Sequence, residues 1–167
     1  MTDGPLRVAI ADDSVLLRDG LVRLLSESGF EVVVAVGDAA ALLDSLEDTA
    51  VDLVVVDVRM PPTFTDEGIQ AALTIRERWP ALAIVVLSQY VEERYAADLL
   101  GGSSPTPTGR SSSTTTTGGV GYLLKDRVVD IDDFVSSLRR VAAGGSAVDA
   151  EVVSQLLSRS RKTAELH

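Results

Sequence analysis

Five short, Val-rich apolar runs recur along the chain, and they constrain its fold more than any other feature. They are "LRVAIA" (6–11), "FEVVVAV" (30–36), "DLVVVD" (52–57), "LAIVVLS" (82–88) and "VGYLLK" (120–125). Runs that are apolar almost throughout fit strands buried on both faces, which is the condition of a parallel sheet covered by helices. Amphipathic segments separate them. In "SVLLRDGLVRLLSES" (14–28), Val15, Leu16, Leu21, Leu24 and Leu25 are expected to share one apolar stripe, with Gly29 as the stop. "DAAALLDSLED" (38–48) opens on Asp38, a good helix N-cap. "DEGIQAALTIRERW" (66–79) runs up to Pro80, "VEERYAADLL" (91–100) reads as a fourth helix, and "DIDDFVSSLRRVAAG" (130–144) has acids at its start and arginines near its end, as the helix dipole favours. Five strand–helix units predict a doubly wound α/β domain with a five-stranded parallel sheet.

Two stretches fall outside that frame. "GGSSPTPTGRSSSTTTTGG" (101–119) is of low complexity and offers almost no apolar side chain to offset the entropy of ordering it. It predicts a tolerated surface loop. The tail "DAEVVSQLLSRSRKTAELH" (149–167) carries a short apolar stripe at Val152, Val153, Leu156 and Leu157, then a basic patch, and reads as a sixth helix.

Composition narrows the function. A formal net charge of -10 argues against a general nucleic-acid-binding surface on these 167 residues. There is no cysteine for thiolate chemistry or a Cys-based zinc site, and the single histidine, His167, stands at the end of the sequence. The sequence shows neither a secretory signal pattern nor an apolar stretch long enough to cross a membrane, so a cytoplasmic location is expected.

In open α/β sheets chemistry gathers at the carboxyl ends of the strands. The first run delivers Asp12 and Asp13 there, the third Asp57, the fourth Ser88 and the fifth Lys125. Any one of these alone is more simply a cap, a turn residue or a surface charge. Together they put three carboxylates, a hydroxyl and an ammonium at one edge. Crowded acids call for a cation, and oxygen-only ligands fit Mg²⁺, which keeps several waters and takes few protein ligands. A divalent ion beside a fixed lysine suits a phosphoryl group, whose transfer needs positioning and charge neutralisation. Asp57 could itself be the nucleophile, forming an acyl phosphate.

The set "DD" at 12–13, "VVVDVRMP" at 54–61, "VVLS" at 85–88 and "GYLLK" at 121–125 resembles the receiver domain of two-component response regulators over about residues 5–145, apart from the insert. "MPPT" after Asp57, and "LLKD" with Asp126 in place of a proline, are similar to the LuxR/NarL type. The resemblance implies a flavodoxin-like sheet of order 2-1-3-4-5. It implies that Asp57 accepts a phosphoryl group from a sensor histidine kinase. It also implies that Asp12, Asp13, Asp57 and the backbone carbonyl of Arg59 bind Mg²⁺, that Lys125 pairs with the phosphoryl group, and that Ser88 and Tyr122 form a switch. Such a protein promotes its own phosphorylation and dephosphorylation but is not a turnover enzyme. It would form a homodimer when phosphorylated.

The expected organisation is a receiver domain over 1–146 and a linker helix over 147–167, leading towards a DNA-binding helix-turn-helix domain that this sequence lacks. A stand-alone phosphorelay receiver and an unphosphorylated scaffold of the same fold are the alternatives. A Mg²⁺ phosphatase with an aspartyl-phosphate intermediate is disfavoured by Arg59 where such enzymes carry a second acid. A flavodoxin-like cofactor binder is disfavoured because no Gly-rich loop follows the first strand. From Ser88 to Lys125 is 37 positions, which departs from the family pattern through the 101–119 insert and puts the usual signalling face next to it in doubt.

Overall fold

A computed structural model describes residues 5–60, 67–89 and 119–148. Six parallel strands form one sheet: β1 Arg7–Ala11, β2 Glu31–Val36, β3 Leu53–Asp57, β4 Ala83–Ser88, β5 Val120–Leu124 and β6 Ser146–Val148. Their order is β2-β1-β3-β4-β5-β6. The helices are α1 Val15–Glu27, α2 Ala39–Asp48, α3 Glu67–Arg78 and α4 Ile131–Ala142, with a 3-10 turn over Lys125–Val129. The expected helix at 91–100, residues 101–118 of the insert and the tail 149–167 lie outside the described residues.

The expected order of the first five strands is met, and β6 is added to it. Ser146, Ala147 and Val148 lie in register with Val120, Gly121 and Tyr122. Three residues behind Gly144 and Gly145 give too short an apolar signal to read as a strand, and β6 exists because the edge of β5 needs a partner for its backbone groups. A boundary between 146 and 147 therefore falls inside β6.

The Val-rich runs serve two cores. Ala9, Ala11, Val54, Val56, Ile84, Val86 and Tyr122 face Leu42 and Leu46 of α2 and Ile69, Ala72 and Ile75 of α3. Their neighbours Val8, Ile10, Leu53, Val55, Val85 and Leu123 face Leu21 and Leu25 of α1 and Phe134, Leu138 and Val141 of α4. The period-two alternation thus distributes apolar side chains to both layers, as the sequence pattern implies.

Local chemistry sets the helix ends. The Asp38 carboxylate accepts the Ala41 N–H at 2.8 Å, which fulfils the predicted cap. Gly29, at φ +98°, takes the left-handed conformation that ends α1. Arg139, in the last turn of α4, donates to the Ser28 carbonyl at 2.7 Å and lies over the Phe30 ring, tying α4 to the end of α1. The expected α1 stripe needs one correction. Val15 and Leu16 are 59% and 86% exposed. The buried stripe is Leu21 and Leu25, flanked by Leu17 and Leu24, because Leu17 stands four residues before Leu21 whereas Leu16 lies well round the helix.

Candidate functional site

At the carboxyl edge of the sheet, Asp12 directly follows β1 and stands beside Asp57, the last residue of β3. Asp12 is buried and its backbone N–H donates to Val36 of β2 at 3.0 Å. One carboxylate oxygen, Oδ1, accepts the Ser14 N–H at 2.9 Å, while the Ser14 hydroxyl accepts the Leu17 N–H and caps α1. The turn that carries the two acids is therefore also the start of a helix, whose N-terminal partial positive charge suits acids.

Asp57, 5% exposed, is the last residue of β3. Its neighbour across the ladder is Leu87, so Ser88 and Lys125 follow directly on the next two strands: Ser88 is in register with Leu124, the residue before Lys125. Lys125 Nζ stands 3.2 Å from Asp57 Oδ2 and 3.8 Å from Asp12 Oδ2. Asp12, Asp13 and Asp57 each offer a carboxylate oxygen within 4.8 Å of the others. A cleft of about 280 Å³ opens between Asp13, Asp57, Val58, Arg59, Gln89 and Lys125. The larger hollow, about 850 Å³ beside Leu6, Asp52, Trp79 and Leu82, lies at the amino ends of the strands, away from this chemistry.

The electrostatics follow from burial. Loss of solvent raises the Asp57 carboxyl to about 6; the nearby Asp12 charge pushes the same way, while Lys125 and the Arg59 backbone N–H oppose it. Burial also raises the Asp12 carboxyl, against the Ser14 N–H and Lys125. One lysine thus leaves three acids only partly compensated.

The donor set fits a divalent cation on the chain's own evidence. Asp12 Oδ2 is buried and makes no hydrogen bond among the described residues, and it points into a group of carboxylates whose mutual repulsion a cation would relieve. Asp12, Asp13 and Asp57 would hold the ion, and it would supply charge neutralisation for an incoming phosphate.

All the residues singled out in the sequence except Tyr122 line this edge, with Arg59 on the rim of the cleft. Tyr122 lies deeper in β5, in register with Val86, and its side chain is fully buried in the core shared with Val54, Val56 and Val86.

Three supporting residues escaped the sequence reading. Gly68 brings α3 onto the end of β3: its N–H donates to Val58 O at 2.8 Å, and a Cβ there would fall 1.8 Å from the Asp57 carbonyl oxygen. Arg18 Nη1 donates to the Asp12 carbonyl at 2.8 Å, and Gly37 leaves the room in which that guanidinium lies. Only the glycines had a visible signal, as isolated glycines beside a strand end or helix start mark close backbone approach.

Residues 8–102, more than half of the chain, match the family model for the response regulator receiver domain, and the chain belongs to that family. Its relatives are regulators of the LuxR/NarL type. The transcriptional regulatory protein DegU of Brevibacillus brevis is 28% identical over 163 residues, which is 97% of this chain and 61% of DegU. The chain therefore spans about three fifths of that relative. Among solved structures, a LuxR-family two-component response regulator from Aurantimonas sp. SI85-9A1 shares the fold at a TM-score of 0.72 and 20% identity, covering 94% of this chain and 99% of the other. The signal receiver domain of NarL from Mycobacterium tuberculosis matches at 0.65 and 26% identity, covering 85% and 99%. No described helix is long and apolar enough to cross a membrane.

Proposed function

We propose that this chain is the phosphoacceptor of a two-component system, phosphorylated on Asp57 by a sensor histidine kinase with Mg²⁺ as cofactor. The observation that carries this reading is the Lys125 ammonium 3.2 Å from a buried Asp57 carboxylate that shares its cleft with two further acids. An Asp57 oxygen attacks the phosphorus of a phosphohistidine, a P–O bond forms, the P–N bond breaks, and the imidazole leaves with the electron pair. Lys125 balances charge on the phosphoryl oxygens, Ser88 offers them a hydroxyl, and Asp12, Asp13 and the Arg59 carbonyl complete the cation site. Water later cleaves the acyl phosphate, so the protein resets itself and is a switch, not a turnover enzyme.

Phosphorylation would favour a homodimer. The relation to DegU, a transcriptional regulatory protein, supports a transcriptional output in the cytoplasm, delivered through a separate DNA-binding domain. The test is incubation with acetyl phosphate and Mg²⁺ followed by intact-mass measurement. One phosphoryl group should be gained, and Asp57→Asn should gain none. Equal labelling of that variant would reject Asp57 as acceptor.

A further inference from the structure

Arg18 is half-buried in the second turn of α1, behind the acids and outside the cleft that would admit a phosphoryl group. Its contact is with backbone. At the end of β1 the Asp12 N–H is held by Val36 of β2, and the Asp12 carbonyl on the far side of the residue is held by Arg18 Nη1 at 2.8 Å. The Asp12 Oδ1 is held in turn by Ser14. Three bonds therefore fix the Asp12 backbone and one carboxylate oxygen, and leave Oδ2 aimed at Asp13, Asp57 and Lys125.

The path of the guanidinium is itself shaped. Gly37, the residue after β2, would bring a Cβ within 3.0 Å of Arg18 Nη1 and 3.9 Å of the Asp12 carbonyl. A side chain at 37 would compete for the space that Arg18 occupies.

We infer that Arg18 is a positioning residue for the divalent-cation site. It clamps the Asp12–Asp13 peptide so that both carboxylates keep their spacing to Asp57, and it does so from the backbone side, without drawing on Lys125. Lys125 is then available to turn from Asp57 and Asp12 to the phosphoryl oxygens while the acids stay in place. This rests on the reading of Asp12, Asp13 and Asp57 as a Mg²⁺ site. Outer partners that orient metal ligands matter in this way because a ligand's geometry, and not only its charge, sets affinity.

The test measures Mg²⁺ binding to the intact chain by calorimetry and by amide chemical shifts at Asp12, Asp13 and Ser14. Melting curves in chelator are recorded alongside. Arg18→Ala should weaken Mg²⁺ binding by about tenfold, the low end of what loss of an outer partner costs. Arg18→Lys keeps the charge but not the planar donor and should recover only part of the affinity.

A purely structural arginine would lower the melting temperature in chelator and leave Mg²⁺ affinity unchanged well below it, and that result overturns the inference. So does wild-type affinity in Arg18→Lys, which also decides the matter if Arg18→Ala does not fold, because it would mean that the guanidinium's fixed planar donor is not what sets the geometry of the site. If the wild-type chain shows no saturable Mg²⁺ binding, the cation site itself falls, and the inference with it.

Discussion

Lys125 Nζ lies 3.2 Å from Asp57 Oδ2 and belongs to the residue that immediately follows β5, so the ion pair is set by strand register and not by a flexible reach. Removing the ammonium leaves the buried Asp57 without the cation that pairs with it, and leaves Asp12 with only the weaker influence of Arg18 from its backbone side. Lys125→Ala should therefore cost the metal-free protein about 1.5–3 kcal/mol at neutral pH, the range for a hydrogen bond to a charged group. It should also slow acetyl phosphate labelling, while Mg²⁺ in excess restores most of the stability and little of the labelling. Urea unfolding with and without Mg²⁺ measures the first effect, and intact mass against time the second.

Burial of Asp57 predicts the pH dependence of the metal-free protein. Its carboxyl is raised from 3.8 to about 6, so between those values the folded state binds more protons than the unfolded state. Stability from this group is then full below about pH 4, falls as pH rises through about 6, and is absent above it. The shift corresponds to a cost of about 3 kcal/mol at neutral pH. Asp12 adds a change of the same sign. In chelator, Asp57→Asn should be more stable than wild type at pH 7, and the advantage should shrink towards pH 4. An advantage that grows on acidification would contradict the burial argument.

Asp13 stands outside the buried pair but adds its charge to Asp12. Asp13→Ala should weaken Mg²⁺ binding and at the same time raise the melting temperature of the metal-free chain, since it removes repulsion from a buried carboxylate. Parallel melts in Mg²⁺ and in chelator show both effects, with opposite signs. A lower melting temperature in chelator would count against crowding as the source of strain.

Gly68 ties the same site to α3. A methyl group 1.8 Å from the Asp57 carbonyl oxygen cannot be absorbed by a side-chain rotation, because the atom it meets is backbone. Gly68→Ala should destabilise by about 1–3 kcal/mol or more, the cost of overpacking a core, and should reduce labelling by shifting the end of β3. Gly20→Ala is the control: it meets nothing within 4 Å on the exposed side of α1, so it should be neutral or stabilising.

The sequence carried the layers and the site edge because both depend on periodicity. Five buried runs placed Asp12, Asp57, Ser88 and Lys125 at strand ends, and parallel register did the rest. What it did not carry depends on contacts far apart in sequence or on very short signals. β6 is three residues long and is stabilised by the edge of β5, not by its own pattern. The link from Arg18 to Asp12 O depends on the direction of a long side chain, and the fit of Gly68 depends on how closely α3 returns to β3. Leu16 misled because a run of apolar residues at a helix start does not show which of them turns inward.

Tyr122 bears on the course of switching. The family resemblance pairs it with Ser88 as a switch, and in this structure the ring is fully buried, among Val54, Val56 and Val86. Moving a two-state population from about 1:99 to 99:1 takes roughly 5.5 kcal/mol of preference. Lys125 already pairs with Asp57 and Asp12, so the new contact is the Ser88 bond to a phosphoryl oxygen. One charge-assisted hydrogen bond contributes only about 1.5–3 kcal/mol, which gives a partial shift, and self-association is expected to add to it. A beryllofluoride mimic with Mg²⁺ should therefore raise the average mass seen by ultracentrifugation in a concentration-dependent way. It should leave the Tyr122 ring as protected from a soluble paramagnetic relaxant as before and shift the amide signals of Ser88 and Lys125. Ser88→Ala should keep the Mg²⁺ affinity and lose part of the mass increase. A Tyr122 ring that gains or loses solvent access on adding the mimic would make the ring a moving part of the switch, and an unchanged mass across the soluble range would separate phosphorylation from assembly in this chain.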